Sequence, residues 1–270
     1  MFAASHTRAA AVVIGGAAAG TVAFACARRC FSTTNLTSLV KQGRKAVCIG
    51  KNYSEHIAEL SQLGPEWTNE GEPEPVIFLK PTSSYAFPGE PLVLPRRRSK
   101  APPVNNGVHH EVELAVVVGK ALGRHDGADA LDDATLMARH VAGYCLALDM
   151  TERDEQTAAK NKGMPWSVAK GYDTFLPLSN PFTLRDGEAW QTLHLWLDVN
   201  GVRRQECDAG VMIHSIPALL RHCSKIMTLE PGDLLLTGTP KGVGRVVAGD
   251  RITAGVVGHV EMAVEVQDEV

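Results

Sequence analysis

Acidic residues are missing from the first fifth of this 270-residue chain: residues 1–54 contain no Asp or Glu, and the first acid is Glu55. Over that stretch Arg8, Arg28 and Arg29 supply positive charge, and Ser32, Thr33 and Thr34 follow. An acid-free, Arg-bearing, hydroxyl-rich leader has the composition of a mitochondrial transit peptide. Arg29-Cys30-Phe31-Ser32 resembles a matrix-processing site with cleavage ahead of Ser32, so residues 1–31 are expected to be a targeting segment. The run Ala9 to Ala27 is uncharged and about as long as a membrane span, which leaves an anchor or secretory signal as the alternative. Its Ala and Gly content makes it only weakly hydrophobic.

Other absences narrow the class. The six cysteines (Cys26, Cys30, Cys48, Cys145, Cys207 and Cys223) match neither zinc-ligand spacing nor a disulfide framework, which points to a reducing compartment. Aromatics make up 6% and the formal charge is −3, with no basic stripe interleaved with aromatics, so no nucleic-acid partner is expected. The one strongly positive run, Arg96-Arg97-Arg98-Ser99-Lys100, reads as a solvated loop. There is no internal repeat and no linker after residue 45. At 44% hydrophobic residues and 21% charged, the chain has enough apolar material for one sizeable core.

What is present is mainly β. Ala46 to Gly50 and Val76 to Leu79 are short apolar strands, and between them Tyr53 to Leu63 has the spacing of a helix. Gly64 to Pro75 is rich in Gly, Pro and Glu and reads as a mobile loop. Leu193, Leu195, Leu197 and Val199 alternate with polar or amphipathic neighbours and run into Asn200-Gly201, a hairpin signal. Ile216 to Met227 is a helix with Ser215 as its cap and Pro217 in its first turn. Leu234 to Leu236 and two segments near Arg251 to Ala254 and Gly258 to Val266 are further strands. The reading is a single β-rich α+β domain over residues 45–266.

The chemistry gathers in His109-His110-Glu111-Val112-Glu113-Leu114, which leads an apolar β-branched run. In a strand, residues i and i+2 face one side roughly 6.5 Å apart, so Glu111 and Glu113 point together. Adjacent carboxylates at the head of a buried strand repel unless something neutralises them, and a hard divalent cation does so with oxygen ligands. Asp149, ending the apolar run Gly143 to Leu148, offers a third carboxylate, because a lone acid there is costly unless paired. Spacing alone leaves open that the pair lines the solvated face of an edge strand. His56 and Glu59, three residues apart on the helical segment, share a face; the carboxylate can orient the imidazole and raise its basicity. Spacing equally permits a solvated helix face.

Six strings in order resemble the fumarylacetoacetate hydrolase family, and within it the acylpyruvase/oxaloacetate decarboxylase branch. They are Gly50-Lys51-Asn52-Tyr53 with His56 and Glu59; Phe78-Leu79-Lys80-Pro81; the His109 to Leu114 segment; Leu148-Asp149-Met150-Thr151-Glu152-Arg153-Asp154; Pro165-Trp166-Ser167-Val168-Ala169-Lys170; and Leu236-Thr237-Gly238-Thr239-Pro240-Lys241-Gly242-Val243-Gly244. The resemblance implies a fumarylacetoacetate hydrolase-type mixed β-sandwich roll around a metal site, usually a homodimer. It implies Mg²⁺ or Mn²⁺ on Glu111, Glu113 and Asp149, with Lys170 beside the metal. It makes His56 and Glu59 the dyad that activates water, and Gly238 and Thr239 part of a substrate-binding loop. Lys80, Arg153 and Gln156 are further candidates for substrate contact, Lys80 equally readable as a structural strand end and Arg153 and Gln156 as surface residues. His109 and His110 are expected to support or pack rather than to ligate.

The expected substrate is a small 2-oxo acid, whose enolate a Lewis-acidic metal stabilises. The implied enzyme is an Mg²⁺/Mn²⁺-dependent hydrolase of C–C bonds in ketonic substances, an acylpyruvate hydrolase, and also a carboxy-lyase acting on oxaloacetate. Oxaloacetate keto–enol tautomerisation, hydratase or isomerase chemistry on catechol-degradation intermediates, and non-catalytic 2-oxo acid binding are the alternatives. No stable membrane partner is expected after processing. Two stretches depart from the family pattern: Gln62 to Pro75, expected to act as a lid, and Gly123 to Asp133, an acidic insertion with four aspartates and no evident chemistry.

Overall fold

The structure, a computed structural model, describes residues 32–61, 74–96 and 107–269. The proposed targeting segment, nearly all of the expected lid loop and most of the basic run at Arg96 to Lys100 lie outside the described residues. Among the described residues no helix is long and apolar enough to cross a membrane.

The central sheet has the order β2 (Val76–Lys80), β1 (Ala46–Gly50), β12 (Leu234–Leu236), β6 (Val112–Val118) and β7 (Val141–Leu148). β1 runs parallel to β12, and the remaining pairs are antiparallel. Both faces are covered, which is why β1, β6, β7 and β12 read as unbroken apolar runs rather than alternations. Val112, Leu114 and Val116 pack toward the second sheet, while Ala115 and Val117 join Leu36 and Val40 of helix α1 (Thr33–Gln42) on the opposite face.

The second sheet has the order β11 (Val202–Asp208), β10 (His194–Val199), β14 (Arg251–Val256), β15 (Val260–Asp268) and β4 (Leu92–Leu94). One of its faces is solvated, and β10 alternates accordingly: Leu195, Leu197 and Val199 are buried, while His194, Trp196 and Asp198 are partly exposed. The Asn200-Gly201 turn adopts positive φ at both residues (52° and 76°), as a two-residue hairpin between right-twisted strands requires. A third, small sheet joins β13 (Gly244–Arg245), β5 (Val108–His110) and β8 (Thr151–Glu152), and β3 (Tyr85–Ala86) pairs with β9 (Leu176–Pro177). The expected β-rich α+β architecture with mixed sheets is what the chain forms.

The helices are α2 (Ser54–Ser61), α3 (Asp133–His140), α4 (Arg153–Asn161), α5 (Ser167–Lys170) and α6 (Ile216–Ile226). α2 begins one residue later than expected and α6 ends one residue sooner. Ser215 caps α6 by accepting from Ala218 N at 3.4 Å, and Ile216, Leu219, Leu220 and Cys223 form its buried stripe. The acidic stretch after Gly123 keeps its four aspartates exposed, while its backbone is tied to this helix. Arg221 donates to Ala128 O, Leu131 O and Asp133 Oδ1 at 3.3, 2.7 and 2.6 Å.

Asp233, fully buried at the head of β12, gathers the surrounding loops. Its carboxylate accepts from Arg44 N (2.9 Å), Lys45 N (3.2 Å), Glu230 N (2.9 Å) and the Lys45 ammonium. Asp233→Ala strands three backbone donors and a lysine, and is expected to cost about 2–4 kcal/mol of unfolding free energy. Urea denaturation checks this; a loss under 1 kcal/mol would mean that water replaces the carboxylate without penalty.

Candidate metal centre

Three backbone decisions bring the carboxylates together. Glu111 occupies the break between β5 and β6, not a strand position as the spacing suggested, and its carbonyl accepts from Asp149 N at 2.8 Å. Glu113 is the second residue of β6 and Asp149 follows the last residue of β7, its neighbour in the sheet. All three are buried, at 5%, 1% and 0% exposure, which excludes the solvated edge-strand reading. One oxygen from each lies within 4.8 Å of the others, close enough for one divalent cation to be held by all three.

Three cations face them. Lys170, at the end of α5, donates to Glu111 Oε2 at 2.8 Å and to Asp149 Oδ2 at 2.5 Å. Arg153, at the start of α4, reaches Glu111 Oε1 at 2.5 Å and Gln156 Oε1 at 2.8 Å. Lys80 stands behind Asp149, its ammonium ion-paired with Oδ1 at 2.8 Å, and donates to Met150 O at 2.9 Å. Burial opposes ionisation of Glu111, yet Lys170 and Arg153 outweigh it and hold that carboxyl well below the usual range. Glu113 goes the other way: burial first, then Asp149 and Glu111, push it well above, with Lys170 and the Gly238 N–H opposing. Burial pulls the Lys170 ammonium down, but Asp149 and Glu111 more than compensate and raise it. For Lys80 burial wins and lowers it, against Asp149.

The donor set suits a hard cation. It offers carboxylate oxygens only, gathered within 4.8 Å of one another, and hard divalent cations prefer oxygen donors. The proton that Glu113 is driven to keep is the one such a cation would replace. In metal-free protein the sign is fixed: the stability Glu113 contributes is fully present below its unfolded value near 4.5 and is lost as pH rises through the raised folded value. The slope approaches about 1.4 kcal/mol per pH unit. Glu111 runs oppositely, its contribution disappearing as pH falls through its depressed folded value. Denaturant titration of EDTA-treated protein from about pH 5 upward should show stability declining, and Glu113→Gln should remove the decline. A decline that persists in Glu113→Gln belongs to another group.

The lysine and the substrate loop both meet carboxylates of the cluster. Lys80 is fully buried and turned to Asp149. Gly238 donates its N–H to Glu113 Oε2 at 2.7 Å. Its φ of 93° and a virtual Cβ only 2.8 Å from Asn52 Cβ explain why glycine stands there. Thr239 does line the cleft, but its hydroxyl donates to Val112 O at 2.9 Å and accepts from Gln205 Nε2 at 2.9 Å. Arg153, Gln156 and Lys170 line the cleft, with Lys51, Phe78 and Trp166 completing its wall.

His56, 4% exposed, lies over the cleft, and its Nδ1 is 3.2 Å from Glu59 Oε2. Burial works to raise Glu59, but the His56 hydrogen bond and the Gly242 N–H lower it overall. Asn52, within the Gly50 to Tyr53 string, is a buried bracket: Nδ2 donates to Thr237 O (2.8 Å) and His214 O (3.1 Å), and Oδ1 accepts from His214 N (2.7 Å). An Asn in a turn gives no sign from sequence of which distant carbonyls it will meet. The free space in this cleft is only ≈ 30 Å³. A larger hollow of ≈ 210 Å³ lies elsewhere, between Phe87–Glu90, Leu178 and Glu261–Val264; it contains none of the opposed charges that chemistry on an anion requires.

A buried carboxylate–lysine centre roofed by a His–Glu pair, on a β-rich α+β frame, is the layout of an enzyme that handles small anions. Comparison with known proteins makes the class specific. The fumarylacetoacetate (FAA) hydrolase C-terminal family matches residues 45–267. The chain is 43% identical over 225 residues to the mitochondrial oxaloacetate tautomerase of Bos taurus, covering 83% of this chain and 92% of that one. It is 44% identical over 217 residues to the mitochondrial oxaloacetate decarboxylase of Dictyostelium discoideum, covering 80% and 90%. Among solved structures, fumarylpyruvate hydrolase from Pseudomonas aeruginosa in complex with Mn²⁺ and pyruvate superimposes with a TM-score of 0.70 at 31% identity, covering 84% of this chain and 91% of that one. The chain belongs to the fumarylacetoacetate hydrolase family and is an enzyme of it.

Proposed function

We propose that this enzyme acts on short 2-oxo acids with Mg²⁺ or Mn²⁺ held by Glu111, Glu113 and Asp149, hydrolysing acylpyruvates and decarboxylating oxaloacetate. The observation that carries the reading is the meeting of three buried carboxylates within 4.8 Å, beneath His56 and Glu59. A cation bound there supplies Lewis-acid stabilisation of negative charge developing on the substrate's C2 oxygen. Lys170 neutralises Glu111 and Asp149 and keeps their oxygens directed inward. Glu59 holds His56 in the Nδ1–H tautomer, leaving Nε2 as the basic nitrogen. In acylpyruvate hydrolysis His56 takes a proton from water, the water oxygen bonds to the distal carbonyl carbon, and the C3–C4 bond breaks with its electrons left on the pyruvate fragment. A purely binding protein would have no use for that pair.

A second reading uses the same site without water. The relatives named for oxaloacetate favour it: loss of CO₂ needs only the stabilised enolate, and keto–enol exchange needs in addition a group that takes the C3 proton and returns one, a role open to His56. The decisive assay follows acetylpyruvate and oxaloacetate with purified protein in Mg²⁺, Mn²⁺ or EDTA. Metal-restored turnover of either substrate supports the proposal; metal-loaded, folded protein inert toward both would defeat it.

The mitochondrial names of the relatives and the acid-free leader support a mitochondrial location for this enzyme. Import into isolated mitochondria with a new N-terminus at Ser32 is the expected result, and exclusion from the organelle would reject it.

A further inference from the structure

Gln205 is the one residue of β11 that is fully buried, at 1% exposure, and it points from the second sheet into the site. Its amide orientation is dictated by its partners. Val112 N–H can only donate, so the atom 3.0 Å from it is Oε1; Pro240 O can only accept, so the atom 3.0 Å from it is Nε2. Oε1 also lies 2.9 Å from His110 Nδ1, and Nε2 donates to Thr239 Oγ1 at 2.9 Å. Every donor and acceptor of the side chain is engaged. One end spans the strand break at Glu111; the other holds the loop that follows β12.

That loop ends against β11 and against the dyad. Gly242 has φ 92°, and a Cβ there would stand 2.0 Å from Arg204 O, so only glycine allows the loop to lie so close to the strand. Its N–H then reaches both oxygens of Glu59, at 3.2 and 3.1 Å, and Glu59 holds His56. We infer that Gln205 is a positioning residue: by fixing Thr239 and Pro240 it sets the Gly242 amide that orients Glu59, and so docks α2 with His56 over the carboxylates. The catalytic consequence rests on the hydrolase reading; the structural consequence does not.

Gln205→Glu separates the two ends, since a carboxylate still accepts from Val112 N–H and His110 but cannot donate to Pro240 or Thr239. In the full chain this variant should keep Mn²⁺ affinity within about twofold while amide exchange in residues 54–61 accelerates roughly tenfold. Acetylpyruvate kcat should fall about tenfold or more at little-changed KM, with oxaloacetate decarboxylation nearly intact. In a Glu59→Ala background, where the tether is already cut, Gln205→Glu should add no further exchange. Unchanged exchange in the folded variant would overturn the inference. So would Mn²⁺ affinity and both activities falling in proportion, which would make Gln205 a support for the Glu111 break alone. If the variant does not fold, Gly242→Ala displaces the same loop from its other end and must reproduce the exchange and kinetic split. A wild-type enzyme inert toward both substrates would remove the hydrolase reading, while the exchange result still decides the role of Gln205.

Discussion

Glu111→Gln is expected to reduce metal-dependent turnover of both substrates about 10³-fold or more, equivalent to about 4 kcal/mol of transition-state stabilisation. Glu111 does two jobs at once. It offers an oxygen to the three-carboxylate cluster, and it neutralises Arg153 and Lys170 through its two oxygens. Glutamine preserves shape and an acceptor but removes the charge, so both cations then lean on Asp149 and Glu113. Mn²⁺ affinity, followed by electron paramagnetic resonance, should fall about 100-fold or more. The melting temperature should fall as well, because a buried ion pair has lost one member. Turnover lost with Mn²⁺ affinity unchanged would move the metal off Glu111 and leave the residue a charge balance for Lys170. Unchanged turnover and affinity would remove it from the centre altogether.

How legible this site was depended on how local each signal is. The hairpin at Asn200-Gly201 could be read because alternation and turn chemistry lie within ten residues of each other. The carboxylates could be read because two of them are neighbours in sequence and the third ends an apolar run, although the regular i, i+2 picture missed the break that frees Glu111 from the ladder. Lys80 was not legible in the same way: a lysine closing a strand looks identical whether its ammonium meets substrate or Asp149, and only the packing of β2 on β1 decides. Gln205 carried one available hint, an uncharged amide at an inward position of an otherwise exposed strand. Helices α1, α3, α4 and α5 all escaped, and two of them show why although their start signals are present. Ser32 accepts from Asn35 N at the head of α1, and Glu152, with Asp154 and Glu155 in the first turn, caps α4. The first follows the proposed leader directly, and the second overlaps the motif that supplies Asp149 and Arg153, so each segment reads first as something else.

His56→Ala separates the reactions this centre can support. Acylpyruvate hydrolysis needs a water deprotonated above the substrate, and loss of a positioned general base costs about 10²–10⁴ in rate. Decarboxylation of oxaloacetate breaks the bond to CO₂ without water, and it depends on the carboxylates and Lys170, none of which touches His56 through a hydrogen bond. The expected result is a collapse of acetylpyruvate turnover with oxaloacetate decarboxylation retained within a fewfold. Glu59→Gln should give a smaller loss of hydrolysis, since it keeps an acceptor for His56 Nδ1 while giving up the charge that strengthens that hydrogen bond. Equal loss of both reactions in His56→Ala would show that the imidazole acts on the enolate common to them, as the base or acid at C3. Tautomerisation would then become the primary chemistry of the small cleft that His56 lines.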